Sequence, residues 1–473
     1  MSPFMSPFSR RVGMALVLLC AVSSTTDAQP CALDPAFNSG LPPESIVYAV
    51  ALQTNGQVLI GGVFQSLDGE ARFNVARLND DGSLDSGFDA GTVADVGYVG
   101  AMAVQDDGKI LIGGAFASSA AVATPYLTRL NTNGTVDGSF NPNLTLDGPV
   151  SSIVLQPDAK IVIAGSFSVV NDFLRQLIAR LHRDGTLDTN FDACVASSEG
   201  ATSLTLLGNG KFLMTGGSFS FSTGLFRNGI ARLESNGNID GTYASGPGID
   251  AGTAYTLALR TNGHVILGGD FSAYDYTARS GIVQLDTDGA VDTAFDPGKG
   301  LKAGTAIFTM LLQRDEKLLI GGNFSSFNEV ASSCVARLRA NGGVDDACDP
   351  GFGANNTVSS FAMQPRTGGG KVVVGGLFTA FNEVERNAIA RLNGDGSPVR
   401  LGQPGWLPDG TFQMMFYGES GVQYVVEGSS NWVDWTSITN FTLSNNPRPI
   451  IDPESSARPM RFYRARSLPD DME

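Results

Sequence analysis

The stretch Leu59–Phe64, with the sequence Leu-Ile-Gly-Gly-Val-Phe, is the first of seven copies of one motif, an apolar strand that ends in Gly-Gly-x-Phe or a close variant. The motif phenylalanines are Phe64, Phe116, Phe167, Phe219, Phe271, Phe324 and Phe378. Successive copies lie 51 to 54 residues apart. A fixed period of this length is the signature of a repeat architecture.

Each copy predicts four strands. In the first copy they are Val47–Leu52, the motif strand, Ala76–Leu78 and Ser83–Phe88. An Asn-Gly or Asp-Gly pair between apolar runs is the strongest short signal for a hairpin, and such a pair recurs before the fourth strand of every copy. Four antiparallel strands in about 50 residues are typical of a β-propeller blade.

The two ends of the repeat region complete each other. The seventh copy stops after Pro398 without a fourth strand, whereas Leu33–Asn38 (Leu-Asp-Pro-Ala-Phe-Asn) matches the fourth-strand pattern. An open solenoid would need capping repeats, but a ring gains a shared blade that removes an open edge. We therefore predict an all-β fold, a seven-bladed β-propeller over residues 30–400 that is closed by an N-terminal strand.

These motifs resemble the delta-60 repeat family of secreted bacterial proteins. The matching features are the Asp/Asn-Gly turns, the Gly-Gly-x-Phe strand, the Ala-Arg-Leu strand and the Leu/Val-Asp-x-x-Phe strand. The resemblance covers about 365 residues. It implies a propeller fold and brings no established activity or catalytic residues with it.

An arginine of the third strand faces an aspartate of the fourth across each Asp/Asn-Gly turn. We expect structural pairs at Arg77–Asp85 and Arg180–Asp188, and likewise in the other blades. Blade five has Gln284 in the arginine position. Blade seven supplies Arg391, whose aspartate must be Asp34 if the ring closes.

Four cysteines remain after the N-terminal segment. Cys334 and Cys348 lie nearly opposite each other when counted back from the Asn341-Gly342 turn, so they are our disulfide candidate. Two buried free thiols are the alternative. Cys31 and Cys194 belong to different blades, and we expect no bond between them.

Two sets of residues are candidates for binding. Five copies carry an arginine eight residues after the motif phenylalanine, which predicts an exposed basic ring for an anionic sugar or partner, with loop bracing as the alternative. These arginines are Arg72, Arg175, Arg227, Arg279 and Arg386. Trp432 and Trp435, in the C-terminal segment, could stack on a sugar or belong to the core.

The composition excludes several classes of partner. The net charge is −16 and charged residues make up 16% of the chain, which argues against nucleic acid, because phosphate binding needs clustered Lys and Arg. Only two histidines are present, His182 and His264, in different blades. We expect no metal site and no cofactor. The Asp-rich turn Asp286–Gly289 lacks the further oxygen ligands of a calcium loop.

The chain divides into three regions. Arg10 and Arg11, the apolar run Val12–Ala21 and the small residues up to Ala28 predict a signal peptide at 1–28. A lipoprotein signal at Cys20 is the alternative. No segment reaches the roughly 20 apolar residues of a membrane span. After a linker at 402–405, residues 401–473 look like the small β-sandwich module found at the ends of secreted bacterial proteins.

The sequence thus predicts a secreted or surface-exposed, non-enzymatic propeller that acts as a binding or adhesion scaffold for a glycan or a surface protein. Two alternatives stay open. One is a polysaccharide hydrolase or lyase with carboxylate catalysts in the funnel of the propeller. The other is a purely structural protein of the cell surface.

Overall fold

The computed structural model describes residues 30–117, 125–141, 143–197, 200–244, 246–313, 315–348, 351–364, 370–394, 400–417, 423–431, 433–444, 447–455 and 461–467. Every regular element in these ranges is a β-strand. No helix in them is long and apolar enough to cross a membrane. The signal peptide predicted at 1–28 lies outside the described residues. The chain forms two compact units, which separate after Asn393.

The first unit is the propeller, and each blade is built on three antiparallel strands. The inner strands are β1 (Ile46–Leu52), β6 (Val96–Val104), β9 (Val150–Leu155), β15 (Ala201–Leu206), β18 (Ala254–Leu259), β23 (Ile307–Leu312) and β28 (Val358–Gln364). The middle strands are β2 (Val58–Val63), β7 (Ile110–Ala117), β10 (Ile161–Gly165), β16 (Phe212–Phe221), β19 (Val265–Gly269), β24 (Leu318–Gly322) and β29 (Lys371–Gly376). The third strands are β5 (Val75–Leu78), β8 (Leu127–Leu130), β13 (Ile178–Leu181), β17 (Phe226–Leu233), β22 (Ile282–Leu285), β27 (Val335–Leu338) and β32 (Ile389–Asn393).

The Gly-Gly pair of the motif lets the sheets pack closely. Gly62 lies opposite Val47 at a register shift of the inner strand, where a side chain would collide with the carbonyl of Ile46. A Cβ on Gly61 would lie 2.7 Å from Cγ1 of Val99 in the next blade. Gly62 therefore allows the close approach of two strands within the blade, and Gly61 allows the close packing of adjacent blades.

The predicted fourth strand is reduced to one bridging residue in each blade. The bridges are Leu78–Leu84, Leu130–Val136, Leu181–Leu187, Leu233–Ile239, Leu285–Val291, Leu338–Val344 and Leu392–Leu33. The chain then turns back, as in the bond from Phe88 N to Asp85 O, and crosses to the next blade, where Asp89 N donates to Asn133 O. A full fourth strand cannot continue because the chain leaves the sheet at this point.

The seventh bridge closes the ring as the sequence predicts. Leu33 pairs with Leu392, and Cys31 N donates to Asn393 O. An apolar cluster continues across the junction, with Val47 and Ile60 of blade one packed with Val373 and Ile389 of blade seven. Fold class and closure are therefore confirmed.

The disulfide prediction was wrong. Cys31 is bonded to Cys348, with their Cα atoms 5.3 Å apart, whereas Cys334 is free and buried. The hairpin register that places Cys334 opposite Cys348 does not extend that far, because Cys348 N donates to Asp345 O and the chain turns away. Cys348 thus leaves its own blade for the neighbourhood of blade seven, where Cys31 lies. Cys194 is free and exposed.

Five blades contain a short hairpin between the second and third strands, where the sequence predicts only a loop. These hairpins are β3 (Ser66–Leu67) with β4 (Glu70–Ala71), β11 (Val169–Val170) with β12 (Phe173–Leu174), β20 (Ala273–Tyr274) with β21 (Thr277–Ala278), β25 (Ser326–Phe327) with β26 (Val330–Ala331), and β30 (Ala380–Phe381) with β31 (Val384–Glu385). Each contacts the connection that enters its blade, as in the bond from Asp275 N to Gly248 O. Blade four instead has long strands that also pair with β14 (Val195–Ala196).

The second unit contains two three-stranded antiparallel sheets. Its strands are β33 (Arg400–Trp406), β34 (Phe412–Tyr417), β35 (Gln423–Ser429), β36 (Thr436–Thr442), β37 (Arg448–Asp452) and β38 (Phe462–Ser467). Both sheets contribute to one apolar core, which includes Phe416 and Tyr424. The linker predicted at 402–405 is part of β33. Its proline and glycines are tolerated there because β33 is an edge strand with a register shift between Gly402 and Gly405.

Candidate functional site

The two ends of each blade differ in chemistry, and we name them separately. The turn side comprises the turns from first to second strand and from third strand to fourth position, with the adjoining strand ends. The hairpin side comprises the hairpins, the connections between blades that contact them, and the adjoining strand ends.

On the turn side, a side chain of the third strand pairs with an aspartate at the fourth position. The pair distances are 2.7 Å for Arg77–Asp85, 2.7 Å for Arg129–Asp137, 2.8 Å for Arg180–Asp188, 2.7 Å for Arg232–Asp240, 2.7 Å for Gln284–Asp292, 2.8 Å for Arg337–Asp345 and 2.7 Å for Arg391–Asp34. The arginine–aspartate pairs expected from the sequence are therefore present, including the one that closes the ring.

A second donor from the start of the middle strand reaches the same aspartate, which the sequence analysis missed. These donors are Gln57, Lys109, Lys160, Lys211, His264, Lys317 and Lys371. Burial alone would raise the pKa of each aspartate, but the bonds and charges of the two donors, together with a bond from the backbone amide two residues on, outweigh it. The pKa of all seven carboxyls is lowered. The carboxylates are therefore held ionised, and their donors are already engaged.

The arginines also join neighbouring blades. Nη1 of Arg77 donates to Thr132 O in the next blade at 2.7 Å, and Nη1 of Arg180 donates to Ser235 O at 2.7 Å. At the ring junction, Nη1 of Arg391 donates to Asp80 O at 2.5 Å. The guanidinium groups of Arg77, Arg129, Arg180, Arg232 and Arg391 stack on the aromatic ring at the end of the fourth position. Each of these arginines therefore contacts the aspartate and the aromatic ring of its own fourth position. Arg77, Arg180 and Arg391 also contact the next blade.

Blade five makes these contacts with exchanged residues. Gln284 replaces the arginine, and Arg260 replaces the glutamine that ends the inner strand of other blades, such as Gln53 or Gln105. Nη2 of Arg260 donates to Ala340 O of blade six at 2.8 Å, and Nη1 lies 3.0 Å from a carboxylate oxygen of Glu316. Aligning Arg260 with Gln53 and Gln284 with Arg77 would have revealed this exchange in the sequence, because both positions change in the same copy.

The predicted basic ring is not exposed, which corrects that expectation. Arg72, Arg175, Arg227 and Arg386 are buried, with 6–9% of their surface exposed, and Arg279 is half-buried. Each Nη1 donates to the carbonyl of the preceding residue, and Arg227 also reaches Tyr243 O and Gly241 O. These long side chains brace the hairpins because their own loop carbonyls lie within reach.

The predicted tryptophan platform is not formed by Trp435. The guanidinium of Arg464 lies 4.2 Å from its ring centroid and covers one ring face, and Trp435 is half-buried. Trp432 lies outside the described residues. The sequence analysis did not select Trp406, which is exposed and packs edge-on against Phe412.

Metal-ligand clusters are not a feature of the described residues. No group of three or more His, Cys, Asp or Glu side chains in them could hold a metal ion. Nδ1 of His264 lies 2.9 Å from Asp292, inside the structural network of blade five.

The hairpin side exposes apolar side chains. In the described part of the propeller, nine large apolar residues are exposed, and all nine belong to this side. They are Val96, Tyr98, Phe173, Leu174, Phe226, Tyr276, Val330, Phe352 and Val384. Tyr276 is 92% exposed and Phe352 is 70% exposed. The two sides of the ring are therefore chemically distinct.

A cavity of about 500 Å³ opens on the hairpin side between blades six and seven. Blade six contributes Ser325, Ser333 and Cys334 among others, and the connection into blade seven contributes 352–357. Burial raises the pKa of the Cys334 thiol to about 11. The lining combines amides, hydroxyls, one thiol, the carboxylate of Glu383 and the exposed ring of Phe352.

The cavity lies where other blade junctions are bridged by an asparagine. Nδ2 of Asn74 donates to Ala94 O and Gly97 O in the connection to the next blade, Nδ2 of Asn228 donates to Pro247 O, and Nδ2 of Asn387 donates to Leu41 O. In blade six, Cys334 occupies the position of Asn74, and Ser333 occupies the position of Asn228 and Asn387. A thiol and a hydroxyl group are both shorter than an amide side chain, so neither bridges the gap in this way.

Comparison with solved structures finds propellers and other proteins of low identity. A gluconolactonase from Xanthomonas campestris is 11% identical, with a TM-score of 0.36, and the match covers 63% of this chain and 96% of that one. YCF48 from Cyanidioschyzon merolae is 11% identical, with a TM-score of 0.34, covering 76% and 99%. An ulvan lyase is 10% identical, with a TM-score of 0.38, covering 78% and 95%. These values give no information about a shared function.

No curated protein matches this chain. A family model does match, and its seven segments follow the seven blades. The segments are residues 53–88, 105–140, 156–191, 210–243, 260–295, 313–347 and 370–398. Together they span half of the sequence. The chain therefore belongs to the family described as "Domain of unknown function (DUF5122) beta-propeller".

Proposed function

We propose that the chain is a secreted, non-enzymatic propeller that serves as a binding or adhesion scaffold for a glycan or a protein of a cell surface. The observation that supports the proposal is the confinement of all nine exposed large apolar residues of the described propeller to the hairpin side. Exposed apolar patches on soluble proteins mark interaction sites, whereas single exposed apolar residues are ordinary.

The turn side supports the same division of roles. Its seven aspartates and their donors are engaged in contacts within and between blades. A surface whose charged groups already bond to other residues of the ring has few of them available to a ligand. The partner is therefore assigned to the hairpin side.

Two features support the proposal that the chain is secreted. Residues 1–28 have the pattern of a signal peptide. The Cys31–Cys348 disulfide fits an oxidising compartment, because disulfides persist outside the reducing cytosol.

The test is binding of the purified chain to a broad glycan array and to whole cells. The double variant Phe173→Ser with Leu174→Ser and the variant Tyr276→Ser should weaken binding because they remove exposed apolar area. Thr54→Ala, an exposed turn-side change, should leave it intact. Binding that only Thr54→Ala weakens would contradict the assignment of the partner to the hairpin side.

An assay for new reducing ends or unsaturated products on any bound polysaccharide tests the enzymatic alternative. Product formation would replace the scaffold proposal with a hydrolase or lyase.

A further inference from the structure

We propose that the cavity between blades six and seven binds an uncharged sugar residue. This inference rests on the proposed function and names the ligand class of one part of the hairpin side. It follows from the origin of the cavity, from the groups that line it and from their charge.

The origin of the cavity is local. At three other junctions an asparagine side chain spans from the start of the third strand to the next connection, and at this junction the two corresponding positions hold Ser333 and Cys334. The gap therefore arises at two adjacent residue positions within an otherwise repeated framework. The framework holds the walls in place because Asn355, in the connection, accepts bonds from Thr379 N and Ala380 N of the next hairpin.

The wall offers hydrogen-bonding groups that the described fold does not use. Asn323 and Asn356 each accept one backbone bond through Oδ1, at Ala306 N and Thr357 N. Within the described residues, no hydrogen bond is formed by their Nδ2 groups or by the hydroxyls of Ser325 and Ser333. Amides and hydroxyls that line an open cavity suit a ligand rich in hydroxyl groups.

Phe352 provides the apolar surface that a sugar requires. It lies in the cavity lining, and 70% of its surface is exposed. A sugar ring has an apolar face of C–H groups, and aromatic rings offer a flat partner for such a face. The combination of one aromatic ring with several amides and hydroxyls distinguishes a sugar from a purely apolar ligand.

The charge of the lining decides between neutral and acidic sugars. Glu383 is the one ionisable carboxylate in the lining, and neither Lys nor Arg contributes to it. A uronic acid or sulfated sugar would place a negative charge near Glu383 without a cation to balance it. A neutral sugar can instead donate its hydroxyls to this carboxylate.

The experiment measures binding of methyl glycosides of glucose, galactose, mannose and N-acetylglucosamine, with glucuronic acid as the charged comparison. Saturation-transfer NMR detects binding to the full chain, and titration gives the affinity. We expect at least one neutral glycoside to bind and glucuronic acid to bind less well. Binding of glucuronic acid alone would overturn the inference.

The decisive variants act at position 334. Cys334→Asn introduces the amide that Asn74 provides at the junction of blades one and two, and the backbone φ of 63° at this position matches the 62° of Asn74. It should close the cavity and lower the affinity at least about tenfold without loss of thermal stability, a step that corresponds to losing about one well-made contact. Cys334→Ser keeps the side chain short and should change the affinity less than about threefold.

A second pair of variants and a chemical readout separate the outcomes. Phe352→Ala should weaken sugar binding, whereas Thr54→Ala, an exposed change on the turn side, should not. Bound sugar should also slow alkylation of Cys334, followed by mass spectrometry of its peptide. Unchanged sugar affinity in both Cys334→Asn and Phe352→Ala would overturn the cavity as the site. Loss of cell or glycan binding in the Phe173 and Tyr276 variants alone would still support the broader proposal.

Discussion

On the turn side, each of seven aspartates is paired with two side chains, and arginines such as Arg77 and Arg180 reach across to the next blade. On the hairpin side, hydroxyls and amides line an open cavity, and apolar side chains face solvent. Both sides derive from the same repeat, so the difference is not one of fold. Contacts that recur in all seven blades maintain the ring, whereas positions that vary between blades are available for recognition.

The pKa values set one hairpin-side carboxylate apart from the turn-side aspartates. The seven aspartates of the turn-side pairs all have a lowered pKa, because their bonds and charges outweigh burial. On the hairpin side, bonds from Ser272 and Ala273 lower the pKa of Asp250, whereas burial raises the pKa of Asp275, opposed only in part by a bond from Gly248 N. Burial dominates at Asp275 because this carboxylate has a single backbone bond to oppose it.

Acidification should have the largest effect, because it acts on all seven turn-side aspartates at once. A folded-state pKa below the unfolded value contributes stability that is present above the unfolded pKa, about 4 for aspartate, and lost as the pH falls further. The melting temperature of the propeller should therefore fall steeply below about pH 4. Calorimetry from pH 7 to pH 2.5 at constant ionic strength measures it. A flat profile through that range would show that the network adds nothing to stability.

Breaking the closing pair should have the next largest effect. The side chains of Arg391 and Asp34 are only 3% and 5% exposed, and removing Arg391 leaves the buried carboxylate with Lys371 as its cationic partner. Arg391→Ala should lower the free energy of unfolding by about 3–5 kcal/mol, because it removes the bonds to Asp34 and Asp80 O, and a hydrogen bond to a charged group contributes about 1.5–3 kcal/mol. The more exposed Arg77→Ala is the matched comparison and should cost less, because water partly solvates Asp85.

Urea unfolding followed by far-UV circular dichroism measures this difference. All three tryptophans lie in the second unit, so their fluorescence reports on that unit as an internal control. Equal costs for Arg391→Ala and Arg77→Ala would argue against a special role for the closing pair.

Loss of the disulfide should have a similar or smaller effect. Cys31 and Cys348 are 317 residues apart, so the bond closes nearly the whole propeller. Cys31→Ser should lower the free energy of unfolding by about 2–5 kcal/mol through the larger entropy of the unfolded chain. Cys194→Ser, at an exposed free thiol, is the control and should have no effect. Peptide mapping that finds Cys348 bonded to Cys334 in the unmodified chain would contradict the observed pairing.

Exchanging Arg260 and Gln284 in blade five should show that their effects on the free energy of unfolding are coupled. Arg260→Gln alone removes the bond to Ala340 O and the ion pair with Glu316, at a cost of about 1–3 kcal/mol. Adding Gln284→Arg restores the arrangement of the other blades and should recover more than half of that loss. Additive effects of the two changes in denaturant unfolding would show that the two positions act independently.

The repeat pattern predicted the blades, the closure and the arginine–aspartate pairs, because these features recur at fixed spacing. It did not predict Lys109 or Gln57 as second donors, since they are 28 residues from their aspartates and vary in type. The burial of Arg72 and Arg175 was missed because charge suggests exposure, whereas nearby loop carbonyls can bind a long guanidinium. The Cys31–Cys348 bond depends on where the chain leaves the sheet, which residue spacing within one hairpin does not reveal.

The smallest expected effect sharpens the contrast between the two sides. The equivalents of Asp275 in blades three, six and seven are Asn171, Asn328 and Asn382, and each accepts a similar bond from the preceding connection. A raised folded-state pKa contributes stability that is fully present below the unfolded pKa and lost as the pH rises through the folded pKa. Asp275→Asn should therefore stabilise the propeller at pH 7, by less than about 1 kcal/mol, because it keeps the acceptor and removes the buried charge. The gain should vanish as the pH falls below the unfolded-state pKa of about 4, where the carboxyl is protonated in both states. Destabilisation at pH 7 would show that the carboxylate has a favourable partner, and Asp275 would then resemble the turn-side aspartates.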